Sequence, residues 1–209
     1  MTSLTRRFSI VTILLAGLAL GLPGAARADD GQLMKTLRAG DNVILVRHGA
    51  TYTNQADSDP LHLDNVTAQR TLNDKGVALA KGFGEALRAA HLPIGNVYTS
   101  KFDRAYQTAA LAGLKAIETS TDITEGGLVV TTDENNRRAA ALRAMLAAPP
   151  KPATNTIIVT HRPNILDALG KDWFDVKEGE ASIFHVENGA SRLIARVQMD
   201  EWGRVLAAK

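Results

Sequence analysis

The chain has 209 residues, with 24 Lys or Arg set against 22 Asp or Glu, and it contains no cysteine. That length suits one domain. The even charge balance argues against a nucleic-acid binder, which would carry a basic face or stripe. With no cysteine there is no disulfide, no thiol nucleophile and no lipid-modified cysteine.

Residues 1–28 read as a secretory signal. Arg6 and Arg7 supply the positive start, Phe8 to Leu22 an apolar stretch, and Ala26-Arg27-Ala28 a small-x-small cleavage site. The apolar stretch is short for a transmembrane helix, which needs roughly 20 residues. Cleavage near Ala28 is therefore expected over retention as an anchor. The expected product is one domain over 29–209, periplasmic or secreted, with no stable membrane insertion. The signal holds three of the 24 basic residues and no acid, so 24 less 3 leaves 21 bases against 22 acids, a net charge of −1.

After it, apolar runs of strand length alternate with helical patterns. "NVILV" (42–46) is all apolar after its first residue and rich in β-branched side chains, as a strand buried on both faces should be. "LNDKGVALAKGFGEALRAAHL" (72–92) has a helical apolar side, with Asn73 or Asp74 as its cap. A strand at 96–100, helices at 103–116 and 136–148, a strand at 155–161 and a short helix at 163–170 follow. The segment 181–199 reads as a hairpin turning at Asn188-Gly189. The alternation predicts a three-layer α/β/α sandwich around a mostly parallel sheet, with the hairpin adding antiparallel strands at an edge. The least regular stretch, Gln55 to Thr71, is long for a loop, and loops of that length in compact domains are commonly functional.

In open α/β sheets ligands bind beyond the carboxyl ends of the strands. Three strands place polar residues there. The first ends in Arg47-His48-Gly49, the second in Thr99-Ser100 with Arg104 soon after, and the third in Thr160-His161. Arginine forks match phosphate oxygens. A histidine can attack through one ring nitrogen while the other donates to a carbonyl. Gly49 is expected to let the backbone pass close by, with positive φ tolerated.

These residues carry a resemblance. "LVRHGATYTN", "TSKFDRAYQTA" and "IVTHRPN" resemble, in order, the three signatures of the histidine phosphatase superfamily, the phosphoglycerate-mutase-like fold. "LNDKGVALA" resembles the helix start that falls between the first two. The resemblance implies that His48 is a nucleophile that becomes phosphohistidine. It implies that Arg47, Arg104 and His161 hold the transferring phosphoryl group, and that Asn54 and Thr51 assist from the first loop. It implies no cofactor and no metal, and a small phosphorylated substrate as the partner. A general acid is expected roughly 20–25 residues after the second arginine. Glu125 lies 21 residues after Arg104, with Asp103, Asp133 and Glu134 as rivals. Arg162 departs from the small residue that usually follows the second histidine, and it either joins the pocket or points away. Arg70 either reaches a second substrate anion or pairs with Asp64 or Asp74.

Other conspicuous residues have plainer readings. His62, His91 and His185 are a loop, a helix-end and a strand residue. Arg137 and Arg138 mark a solvated helix face, or reach toward the pocket from a neighbouring loop. Trp173 and Trp202 are packing residues. The expected activity is that of a metal-independent phosphomonoesterase. The alternatives are a mutase of the phosphoglycerate type and a silent binding protein for a phosphorylated ligand. The segments Gln55–Thr71 and Ser120–Asn136 are expected to shape specificity.

Overall fold

Val43 to Val46 form the centre of strand β1 (Asn42–Arg47), buried along its length except at Arg47, which is half-buried. The computed structural model describes residues 30–126 and 129–207; the expected signal segment lies outside them. In chain order the elements are α1 (Asp30–Ala39), β1, α2 (Asp74–Ala89), β2 (Ile94–Ser100), α3 (Asp103–Leu111), β3 (Ile117–Ser120), α4 (Thr132–Ala147), β4 (Asn155–Thr160), α5 (Arg162–Leu169), β5 (Ala181–Glu187), β6 (Ala190–Val197) and α6 (Trp202–Ala207).

The six strands form one sheet in the order β3-β2-β4-β1-β5-β6. The pairs β1–β4, β2–β4 and β2–β3 are parallel. The terminal hairpin joins antiparallel through β5 against β1. Successive side chains of β1 go to opposite faces, as a strand requires. Ile44 and Val46 pack with Leu37, Phe83, Ala109 and Trp202 from α1, α2, α3 and α6. Val43 and Leu45 pack with Leu142, Leu146 and Ile165 from α4 and α5. The outcome is the expected three-layer sandwich.

Asn73 is the cap of α2, its side chain accepting the Gly76 N–H at 2.9 Å. The hairpin turns at Asn188 and Gly189, whose φ values of 52° and 74° suit a type I′ turn. Helix α4 starts at Thr132, four residues before the expected 136, because Thr131 caps it by accepting the Glu134 N–H. Helix α3 ends at Leu111, before Gly113 with φ 74°. This frees Ile117–Ser120 to form the short edge strand β3, which the sequence reading missed. It also missed α1 and α6, which pack against each other and close one face of the sheet.

Parallel pairing sets the site. Arg47 lies opposite Thr160, and Thr99 opposite Val159. The ends of β1, β2 and β4 therefore deliver Arg47-His48, Ser100 and Thr160-His161 to one edge. Helix α2 comes close enough to brace the loop after β1. A Cβ on Gly76 would lie 2.1 Å from the Ala50 carbonyl oxygen, so only glycine fits there. Gly49 abuts the same place, where a Cβ would meet the Gly76 carbonyl oxygen at 3.3 Å. Its φ is not positive, so the expected close approach of backbone, without use of the tolerated left-handed region, is what favours glycine at 49.

Candidate active site

His48 is 1% exposed. Its Nδ1 lies 2.8 Å from the Gly49 carbonyl oxygen. A carbonyl only accepts, so Nδ1 carries the proton and Nε2 keeps its lone pair. Burial, with the charge of Arg104 next, lowers the His48 pKa to about 3, against the opposing pull of the Gly49 carbonyl. The ring is thus neutral and nucleophilic at physiological pH. The Gly49 N–H donates to Thr108 Oγ1, which donates in turn to the Arg104 carbonyl, tying this loop to α3.

Arg104 is fully buried in the first turn of α3. Its Nη1 donates to Asp57 at 2.9 Å and its Nη2 to Glu125 at 2.5 Å. Its guanidinium lies over the Phe102 ring, 4.4 Å from the centroid. Arg47 Nη1 donates to the Val176 carbonyl at 2.8 Å, and Nη2 stands 3.6 Å from Glu178. Burial lowers the Arg47 pKa, Glu178 opposes that, and Arg162 and Arg70 add to it. The Nε atoms of both Arg47 and Arg104 are buried with no partner.

His161 is fully buried, its ring centroid 5.1 Å from that of His48. Its Nε2 lies 2.7 Å from Ser100 Oγ. The neighbouring hydroxyls settle the proton. Thr124 Oγ1 donates to the Ser120 carbonyl and accepts the Lys101 N–H and the Ser100 hydroxyl. Ser100 Oγ, its proton spent on Thr124, accepts from Phe102 N and from His161 Nε2–H. The other nitrogen, Nδ1, is buried without a hydrogen bond and stands 3.8 Å from Glu125. Burial, then Arg104 and His48, keep the His161 pKa well below its ordinary value.

The structure thus brings together Arg47, His48, Arg104, Glu125 and His161. Glu125 is the carboxylate nearest the two histidines' end of the cluster. Its rivals lie elsewhere: Glu134 pairs with Arg137 and Arg138 on α4, and among the described residues neither the Asp103 nor the Asp133 carboxylate forms an ion pair with Arg104 or either histidine. Arg137 belongs to the solvated face, pairing with Asp122 as well. Arg138 instead donates to the Thr124 carbonyl and braces the turn that carries Glu125.

Several expectations change. Thr51 is buried, but its hydroxyl donates to Glu178 at 2.9 Å, so it acts on Arg47 through that carboxylate. Asn54 is exposed, and among the described residues no hydrogen bond links its side chain to the buried cluster. The turn after Thr51 carries it outward, so in this conformation it does not join the phosphate contacts its motif position implies. Arg70 pairs with neither Asp64 nor Asp74. Its backbone N–H donates to Asp57, the carboxylate that also holds Arg104, and its charge is felt at Arg47, His48 and His161. Arg162 packs on Phe174 and donates Nε to its carbonyl. Asp57 and Glu178 were not singled out in the sequence, and Ser100 was named only as a polar strand end. Asp57 sits in an irregular loop with no spacing signal, and Glu178 reaches the site from the turn before β5. Among the remaining residues, Trp202 packs on Phe83 in the core, Trp173 stacks on Phe184, His62 is an exposed loop residue paired with Asp59, His91 ends α2, and His185 meets Asn42 from β5.

A family model for the histidine phosphatase superfamily, branch 1, matches residues 43–130, which takes in Arg47, His48, Arg104 and Glu125. Over that stretch the chain resembles the histidine phosphatase superfamily. Solved structures show the same fold. The protein histidine phosphatase SixA in complex with tungstate is 18% identical over 77% of this chain and 98% of its own, with a TM-score of 0.54. YhfR of Bacillus stearothermophilus is 16% identical over 74% of this chain and 95% of its own, TM-score 0.53. The phosphoserine phosphatase of Entamoeba histolytica in complex with phosphoserine is 15% identical over 76% and 97%, TM-score 0.52. No curated protein sequence matches the chain significantly.

Proposed function

We propose that this chain is a metal-independent phosphomonoesterase working through a phosphohistidine on His48. The supporting observation is one buried arrangement. A neutral His48 stands among three nitrogens with no hydrogen-bond partner, Arg47 Nε, Arg104 Nε and His161 Nδ1. Buried polar groups are ordinarily satisfied, and a phosphoryl group would satisfy these, its oxyanion accepting from the two arginine N–H groups and a protonated oxygen donating to His161 Nδ1. Phosphoryl transfer needs little beyond positioning and charge stabilisation.

His48 Nε2 attacks phosphorus in line, and the bond from phosphorus to the alcohol oxygen breaks. Glu125 gives its proton to the departing oxygen. Water then attacks phosphorus, Glu125 takes up the water's proton, the phosphorus–nitrogen bond breaks and inorganic phosphate leaves. The reading includes export. Arg6, Arg7 and Ala26-Arg27-Ala28 support cleavage near Ala28, so the substrate is met outside the cytoplasm. An amino terminus at Asp29 on the exported protein tests that part.

The decisive experiment is hydrolysis of 4-nitrophenyl phosphate with EDTA present, wild type against His48→Ala. Turnover that survives EDTA and disappears in the variant supports the reading. Equal turnover in both overturns it. Transfer of the phosphoryl group to a second hydroxyl, in place of water, would make the chain a mutase. Phosphate-ligand binding with no labelled phosphohistidine would make it a binding protein.

A further inference from the structure

Two arginines at this site hold no carboxylate. Of the four arginines Arg47, Arg70, Arg104 and Arg162, Arg47 pairs with Glu178 and Arg104 with Asp57 and Glu125. Arg162 and Arg70 have no ion-pair partner among the described residues. Both are part-exposed, whereas His48, Arg104 and His161 are buried. The cluster therefore has a floor and a rim.

Arg162 is fixed at that rim. It follows His161 directly in the first turn of α5. Its Nε donates to the Phe174 carbonyl at 3.0 Å, and its guanidinium lies over the Phe174 ring, 4.6 Å from the centroid. That leaves Nη1 and Nη2 uncommitted. Phe174 is 64% exposed and lies two residues from Val176, whose carbonyl Arg47 holds. Arg70 is fixed by its backbone, since Asp57 grips both its N–H and Arg104 Nη1. The charges of both rim arginines act unfavourably on Arg47. Like charges gathered without compensation are relieved by an anion. A stacked guanidinium with a free fork edge also suits a planar or tetrahedral oxyanion.

We infer that Arg162, seated on Phe174, and Arg70 bind a second anionic group on the alcohol portion of the substrate. The preferred substrates are thus phosphomonoesters that also carry a carboxylate or a further phosphate. This rests on the reading above, in which the floor takes the phosphoryl group being transferred. Arg162 is the principal contact, because its ring and carbonyl partners hold the fork in place.

The test is binding of non-hydrolysable esters by calorimetry. Benzylphosphonate is compared with 4-carboxybenzylphosphonate and with 4-phosphonobenzylphosphonate in wild type, Arg162→Gln and Arg70→Gln. Wild type should bind at least one doubly anionic ligand roughly tenfold tighter than benzylphosphonate, as one good charge-assisted contact implies. The better of the two names the second anion. In Arg162→Gln the ratio should fall to within about threefold of unity, and Arg70→Gln should lower it as well. Equal affinities in wild type, no binding of any phosphonate, or a preference undiminished in Arg162→Gln would overturn the inference. Turnover of an aryl phosphate without this preference would leave the hydrolytic reading standing alone. The preference without turnover would leave the rim site standing alone.

Discussion

Glu125 divides its carboxylate between Arg104 and His161: Oε1 accepts Arg104 Nη2 at 2.5 Å, and Oε2 stands 3.8 Å from His161 Nδ1. One oxygen is anchored and the other faces the pocket, which suits a group that must release and regain a proton. Glu125→Gln keeps the anchor and removes the acid. The expected loss in kcat is about 100- to 1000-fold for alkyl phosphates, whose leaving oxygen needs the proton. For 4-nitrophenyl phosphate the loss should stay within about tenfold, since that anion leaves unaided. Equal losses on both substrates would make Glu125 a positioning residue for Arg104.

Asp57 holds Arg104 Nη1, a donor that a phosphoryl oxygen also needs. A dianion arriving at this guanidinium meets a carboxylate already in place. Asp57→Asn removes that charge while leaving an oxygen to accept from Arg104. Tungstate and inorganic phosphate should bind about three- to tenfold tighter to the variant, measured by calorimetry at fixed ionic strength. Weaker binding would show that the Asp57 charge is needed to set Arg104 in position.

The pattern of the sequence carried the fold's centre and the site's floor, for physical reasons. A strand buried on both faces must be an apolar run, so β1 and β4 stand out, and parallel pairing forces their polar ends together. Helix α6 has six residues, and β3 has four with exposed or half-buried side chains, so neither has a strong period; α1 has ten residues with Leu33, Met34 and Leu37 on its buried side, and its period was legible. Asp57, Glu178 and Arg70 meet the site from loops, and loops carry no register. Asn54 shows the converse. Its motif position is legible, yet the turn after Thr51 carries the side chain outward.

Ser100 fixes the proton of His161. With its hydroxyl given to Thr124, it accepts from Nε2 and leaves Nδ1 to face the pocket. Ser100→Ala removes the acceptor and strands a buried N–H, which costs about 1–3 kcal/mol. Activity should fall roughly tenfold or more, with kcat affected more than KM if the ring loses its orientation in the transition state. The His161 ring nitrogens should also shift in a 15N spectrum toward the other tautomer. A lowered melting temperature with an unchanged His161 spectrum would mean that Ser100 serves packing alone.

Acid should destabilise the fold through its buried histidines. His48 is held neutral by burial, with a pKa of about 3 against 6.5 ordinarily, and His161 is shifted in the same direction. Between those values the unfolded chain binds a proton at position 48 that the folded chain refuses. Stability therefore falls as pH drops below 6.5 and keeps falling until about 3, by about 1.4 kcal/mol per pH unit for one such histidine. Above 6.5 neither state binds the proton and the contribution is flat. His48→Asn removes one of these terms. Urea unfolding at pH 6.5 and 4.5 should show wild type losing roughly 2 kcal/mol more than the variant over that interval. Identical losses would mean that His48 takes up its proton in the folded protein near the ordinary pKa. The neutral nucleophile on which the proposed chemistry depends would then be absent at mildly acid pH.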